Sequence, residues 1–155
     1  YATEALTVTV TPSICRDSMA GMVFPLSVSV NAGERLLDGC GGEPAQMLEG
    51  SWAVTHIDGG PVPEGVTPSM TFAGGSVFGS TGCNRYNAGV SLTGEGMTIM
   101  PGPMTMMACD DPAGAVEQGF MAALGSVTRF DFDEDTGALV LMAQDRAVLT
   151  ASPAP

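Results

Sequence analysis

Apolar and polar residues alternate along residues 5–12, "ALTVTVTP", and again along 26–31, "LSVSVN". That period of two belongs to strands with one face toward a core. With "ERLLDGC" at 34–40 these stretches outline two or three antiparallel strands, the last two joined by the turn "NAG". The stretch between the first two, "SICRDSMAGMVFP", lacks alternation and reads as an irregular loop carrying Cys15. "GCGGEPAQMLEG" then mixes glycine, proline and acid, as linkers do.

A second series follows. "SWAVTHID" is a strand with the chain's one tryptophan, and "SMTFAGGSVFGSTG" gives short strand pieces around Met70, Phe72 and Val77. "GVSLTGEGMTIM" reads as a hairpin turning at Gly94-Glu95-Gly96. One helix stands out: Asp111 as N-cap, Pro112 at the first helical position, and an apolar stripe of Val116, Phe120, Ala123, Leu124 and Val127 ending near Gly125. "RFDFDEDTGALVLMAQDRAVLTA" is strand, acidic turn, strand, turn, strand. The expected architecture is α+β and mostly β: a curved antiparallel sheet with one helix packed on it, preceded by a small β-hairpin unit. The expected division is a partial β unit at 1–42, a linker at 43–49, a second domain at 50–151, and a disordered tail at 152–155.

Charge narrows the function. The chain has 17 acidic residues and five basic ones, all arginine (Arg16, Arg35, Arg85, Arg129, Arg146), for a net charge of −12. Such a surface repels phosphate backbones and anionic lipid, which excludes a nucleic-acid partner. No apolar run approaches the roughly 20 residues of a membrane-spanning helix. The chain opens in strand-like alternation, as a mature chain does once an export signal is removed and as a fragment does equally, so compartment is read from the cysteines.

Four cysteines, Cys15, Cys40, Cys83 and Cys109, contain no CxxC spacing, so neither a zinc knuckle nor a thioredoxin-type motif is present. An even count in an acidic, glycine-rich chain favours two disulfides and an oxidising compartment. Of the three connectivities, Cys15–Cys40 and Cys83–Cys109 is preferred because each bridge stays inside one segment. Each would contribute roughly 3 kcal/mol by closing its loop.

The remaining chemistry is weighed residue by residue. Catalysis by Cys83 needs a base nearby, and the single histidine, His56, sits on an expected strand with nothing placing it there. Gly82, Asn84, Arg85 and Asn87 read as residues that shape the loop, with Arg85 tying it to an acid. Met97, Met100, Met104, Met106 and Met107 are dense enough to raise Cu(I) binding through thioethers. Pro101 and Pro103 interrupt them and no histidine lies near, which favours core packing; a methionine-lined groove for an apolar ligand or peptide is the intermediate reading. "DFDEDTG" at 131–137 begins like a calcium loop, but Thr136 stands where glycine is needed and Met142 where the bidentate glutamate belongs. No catalytic residues, metal or cofactor are assigned.

Trp52, "GSTGCNRYNAG" at 79–89, "TMMAC" at 105–109, Glu117 and Phe120, and then "ALVL" come in an order that resembles the META domain, the family of HslJ-like heat-shock and envelope proteins. The resemblance covers residues 48–151 and departs at "AQDRAV", where a glycine is common at the last turn. It implies a β-rich fold with one helix on exported or lipid-anchored envelope proteins, association with stress and antibiotic tolerance, and no enzymatic activity. "CRDSMAGMVFP" and "LDGCGG" are similar to the end of a lipoprotein-associated bacterial domain of unknown function, which implies that the chain starts inside that domain. The expectation is a non-enzymatic envelope protein, periplasmic, secreted or held to the outer membrane by a lipid anchor upstream. Its alternatives are an inhibitor or binding module for a secreted protease or lysozyme, and a structural subunit of an envelope assembly.

Overall fold

The computed structural model describes residues 5–155; the first four residues of the expected 1–42 unit lie outside the described part. The chain forms two compact units, divided between Met47 and Leu48.

The first unit is an antiparallel sheet of β1 (Leu6–Arg16), β2 (Val23–Ala32) and β3 (Arg35–Gly41), in that spatial order. Alternation sorts its two faces. Leu6, Val8 and Val10 stand opposite Ala32, Val30 and Val28, with Leu37 beyond Val30. Thr9, Thr11, Ser27, Ser29 and Asp38 line a hollow on the hydroxyl-rich side. Cys15 is not in a loop, as its surroundings suggested, but on β1 opposite Phe24. A register shift between Pro12 and Cys15 sets Ser13 and Ile14 against Pro25 alone, absorbing one extra residue before the ladder resumes, which is why alternation fails there. The expected linker contains a helical turn, α1 (Pro44–Leu48).

The second unit is one antiparallel sheet with a helix. Its strands are β4 (Gly50–Ile57), β5 (Gly60–Pro61), β6 (Ser69–Ala73), β7 (Ser76–Ser80), β8 (Arg85–Thr93), β9 (Gly96–Met104), β10 (Arg129–Phe132), β11 (Leu139–Ala143) and β12 (Arg146–Pro153). The spatial order is β10-β11-β12-β4-β6-β7-β8-β9, with β5 beside β4. The sheet curls so far that its two ends approach: the Met97 N–H donates to the Thr128 carbonyl at 2.7 Å. Helix α2 (Ala113–Ser126) carries Val116, Phe120, Ala123 and Leu124 as its buried stripe. Phe120 is fully buried and meets Tyr86 edge-on at 5.3 Å. Burying a side chain of that size is worth about 2–3 kcal/mol. Trp52 packs 6.0 Å from Phe132, and its indole N–H donates to the Leu48 carbonyl at 2.9 Å.

Three boundaries differ from the sequence reading. Pro112, not Asp111, holds the N-cap position, while the Asp111 carboxylate accepts the Ala115 N–H at 3.0 Å from one residue further out. Gly125 lies inside the helix, which ends at Ser126. Residues 152–155 are not a free tail: Ser152 and Pro153 pair with Ala53 and Trp52, and the Ala154 N–H donates to Ser51 at 2.9 Å. The sheet satisfies their backbone groups, which composition alone does not reveal.

Candidate functional site

The second residue of the loop between β7 and β8 is a glycine in a backbone conformation that side chains rarely adopt. Gly82 has φ +95°, and a Cβ there would lie 2.6 Å from Val66 Cγ1. With the chain turned by that positive φ, Cys83 faces Cys109, with Cα atoms 6.0 Å apart and the sulfurs bonded. In the first unit Cys15 and Cys40 are bonded likewise, with Cα atoms 5.4 Å apart. No cysteine is left free.

Behind the Cys83–Cys109 bridge lies a polar cluster around Asn84, which is 2% exposed. The Asn84 amide nitrogen donates to Glu117 Oε2 at 2.9 Å and to the Met107 carbonyl at 3.1 Å. Its amide oxygen accepts from the Met107 N–H at 2.7 Å and from Thr105 Oγ1 at 3.0 Å. Both donors and both lone pairs of the amide are therefore used. Thr81, fully buried, donates its hydroxyl to Glu117 Oε2 at 2.5 Å and accepts the Asn84 N–H at 2.8 Å. The Thr81 hydroxyl, aided by the Asn84 side chain and backbone, holds the Glu117 carboxyl below the ordinary glutamate value against an opposing desolvation. One carboxylate on α2 thus gathers the β7–β8 loop, and Asn84 passes that grip to residues 105–107.

Arg85 and Asn87 stand apart from this cluster. The Arg85 side chain is exposed and no described acid pairs with it; its backbone N–H donates to Thr105 Oγ1 at 2.9 Å. The tie to an acid that Arg85 was expected to make is made by Asn84. Asn87 is exposed on β8, and its carbonyl would lie 2.8 Å from a Cβ on Gly102, a contact only glycine allows. Thr81, Thr105 and the role of Glu117 were missed from the sequence. The available signal was Glu117 itself, an acid directly after Val116 of the buried stripe.

His56 is exposed on β4 with Nδ1 3.0 Å from Thr55 Oγ1, and β6 and β7 separate β4 from β8. The stretch 131–137 is a connecting turn: Asp133 Oδ1 accepts the Asp135 and Thr136 N–H groups, and Gly137 takes φ +72°. The methionines require a correction. Met97 alone of the five is in the core, at 3% exposure, and Met104 is half-buried. Met100, Met106 and Met107 are 56%, 84% and 63% exposed. Met100 follows the buried Ile99 on β9 and so projects from the outer face of the sheet, while Met106 and Met107 follow β9 in irregular, exposed chain.

A nearly closed antiparallel sheet, one packed helix, and a stapled loop locked to that helix define a β-rich domain with no free nucleophile in its polar cluster. The META domain family matches residues 45–155, and the chain belongs to that family. The META domain is not a known enzyme family. Among solved structures, an NMR structure of a protein from Burkholderia xenovorans is 24% identical, covering 71% of this chain and 86% of that one with a TM-score of 0.56. A second NMR structure is 23% identical, covering 72% of this chain and 95% of that one with a TM-score of 0.55. Both likenesses concern the fold. No curated protein matches the chain significantly.

Proposed function

We propose that this protein is a non-enzymatic module of the bacterial cell envelope, periplasmic or attached to the outer membrane. Its META domain serves stress and antibiotic tolerance as a stable interaction unit. The observation that carries the reading is the state of the Asn84 cluster. The polar atoms an enzyme would direct at a substrate are spent on one another, and the adjoining cysteine is bonded to Cys109. Two bonded cysteine pairs and the family membership fit an oxidising envelope compartment.

The test is to express the tagged chain with an export signal in a bacterium, fractionate the cells, and map its cysteines without reductant. The reading expects paired cysteines in the periplasmic or outer-membrane fraction. It also expects envelope proteins, rather than one hydrolase, in the pull-down. Recovery of a single protease or lysozyme at stoichiometric ratio would replace it with the inhibitor reading. Free thiols in correctly exported protein would overturn it.

A further inference from the structure

Methionine is usually among the more buried residue types, and this chain has 11 of them in 155 residues. Met22, Met70 and Met97 follow the rule at 0%, 0% and 3% exposure. Met19, Met106, Met107 and Met100 break it, at 94%, 84%, 63% and 56%. Three of these four fall within eight residues of chain, 100–107, and the carbonyl of the last lies 3.7 Å from Cys83 Sγ. We propose that Met100, Met106 and Met107 are reversible acceptors for peroxide-type oxidants, and that Met19, in the other unit, is a separate acceptor of the same kind.

The chemistry is that of a thioether. A sulfur lone pair attacks one oxygen of hydrogen peroxide and the O–O bond breaks as an S–O bond forms. The departing hydroxide takes the proton of the transferred hydroxyl and leaves as water. Sulfur loses two electrons, the peroxide gains them, and the product is methionine sulfoxide, which reductases return to the thioether. A cysteine thiolate would compete for the oxidant, but all four cysteines are already in disulfides. The accessible thioethers are therefore the reactive sulfur of the folded protein.

The fold separates this reaction from stability. A sulfoxide is polar, and placed in a core it disrupts packing. The Met106 and Met107 side chains contribute nothing to the core, and Met107 is held by its backbone, whose N–H and carbonyl both bind the Asn84 amide. Oxygen added at the side chain leaves that anchor in place. Met100 projects from β9 while its backbone stays in the ladder opposite Gly89. The inference is independent of the envelope reading, since it rests on exposure and sulfur chemistry alone.

The test treats the purified full-length chain with increasing hydrogen peroxide and follows peptide masses, peroxide consumption and the melting curve together. Met19, Met100, Met106 and Met107 are expected to gain one oxygen each while Met22, Met70 and Met97 gain none. The melting transition should hold, and methionine sulfoxide reductases of both epimer specificities should restore the original mass. In the variant Met19→Leu/Met100→Leu/Met106→Leu/Met107→Leu, a near volume-conserving set at exposed sites, initial peroxide consumption should fall roughly threefold or more with the fold intact. Oxidation spread evenly over buried and exposed methionines would overturn the proposal. So would unfolding in step with the first oxygens, unchanged consumption in the folded variant, or sulfoxides that the reductases fail to reduce.

Discussion

Asn84 on the β7–β8 loop and Glu117 on α2 meet through the Asn84 amide nitrogen at 2.9 Å from Glu117 Oε2, across 33 residues of chain. Asn84→Ala removes every bond of that amide and leaves the Met107 N–H without its 2.7 Å partner. The loss of a buried, fully bonded group is expected to destabilise the second unit by about 3 kcal/mol. Urea unfolding followed by Trp52 fluorescence measures it; an effect within error would mean that solvent replaces the amide at no cost.

Glu117 gives the lock a pH dependence. Its folded-state pKa lies below its ordinary value of 4.5, so the unfolded chain takes up its proton first as pH falls. The contribution is fully present above pH 4.5 and is lost as pH drops below that value through the folded-state pKa. Glu117→Gln should therefore be less stable than the parent at pH 7, with the gap narrowing in acid. Paired unfolding curves from neutral to acid pH, compared as differences, isolate this carboxyl from the other acids; a gap that widens in acid contradicts the assignment.

The Cys83–Cys109 bridge closes a separation of 26 residues, and in the chain-entropy account such a loop is worth about 3 kcal/mol. Cys83→Ser/Cys109→Ser should lower the urea midpoint of the second unit accordingly while leaving the β-rich circular dichroism spectrum in place. Native alkylation of the parent protein should label no cysteine, and reductant should bring the parent toward the variant. A variant as stable as the parent would show that the Asn84 lock alone fixes the loop.

Gln144 opens the turn between β11 and β12 with φ +56°, in the left-handed region that glycine occupies without a Cβ penalty. This is the turn at which "AQDRAV" departs from the family pattern. Gln144→Gly should stabilise the protein by about 0.5–1 kcal/mol, strain relief outweighing the added freedom of the unfolded chain. Differential scanning calorimetry reads the rise, and a lowered melting temperature would show that the Gln144 side chain contributes more than its backbone costs.

Much of the fold was legible because alternation and the α2 stripe are local signals: the existence of β1, β2 and β3 as strands and the burial of Val116, Phe120 and Leu124 follow from them. The bulge that carries Cys15 onto β1 and the pairing of Ser152 and Pro153 with β4 were not, because both depend on a partner strand supplied from elsewhere in the chain. At the site, the sequence pointed to the loop and to Asn84, yet assigned the acid contact to Arg85. Charge suggested an ion pair, whereas burial favoured a neutral amide whose donors and acceptors could all be met at once. The exposed methionines were illegible for a related reason: thioethers pack well in cores, and composition does not say that Met100 falls on the outer face of β9 or that Met106 and Met107 lie beyond its end.

The pairing of β12 with β4 places Pro153 beside Trp52, so the opening and closing strands of the META unit leave it side by side. A segment of a few residues would join them, and the chain could be reopened at the Gln144-Asp145 turn as a circular permutant of unchanged topology. The same adjacency lets this domain be inserted into a surface loop of a host protein, displayed as a graft without prying the host apart.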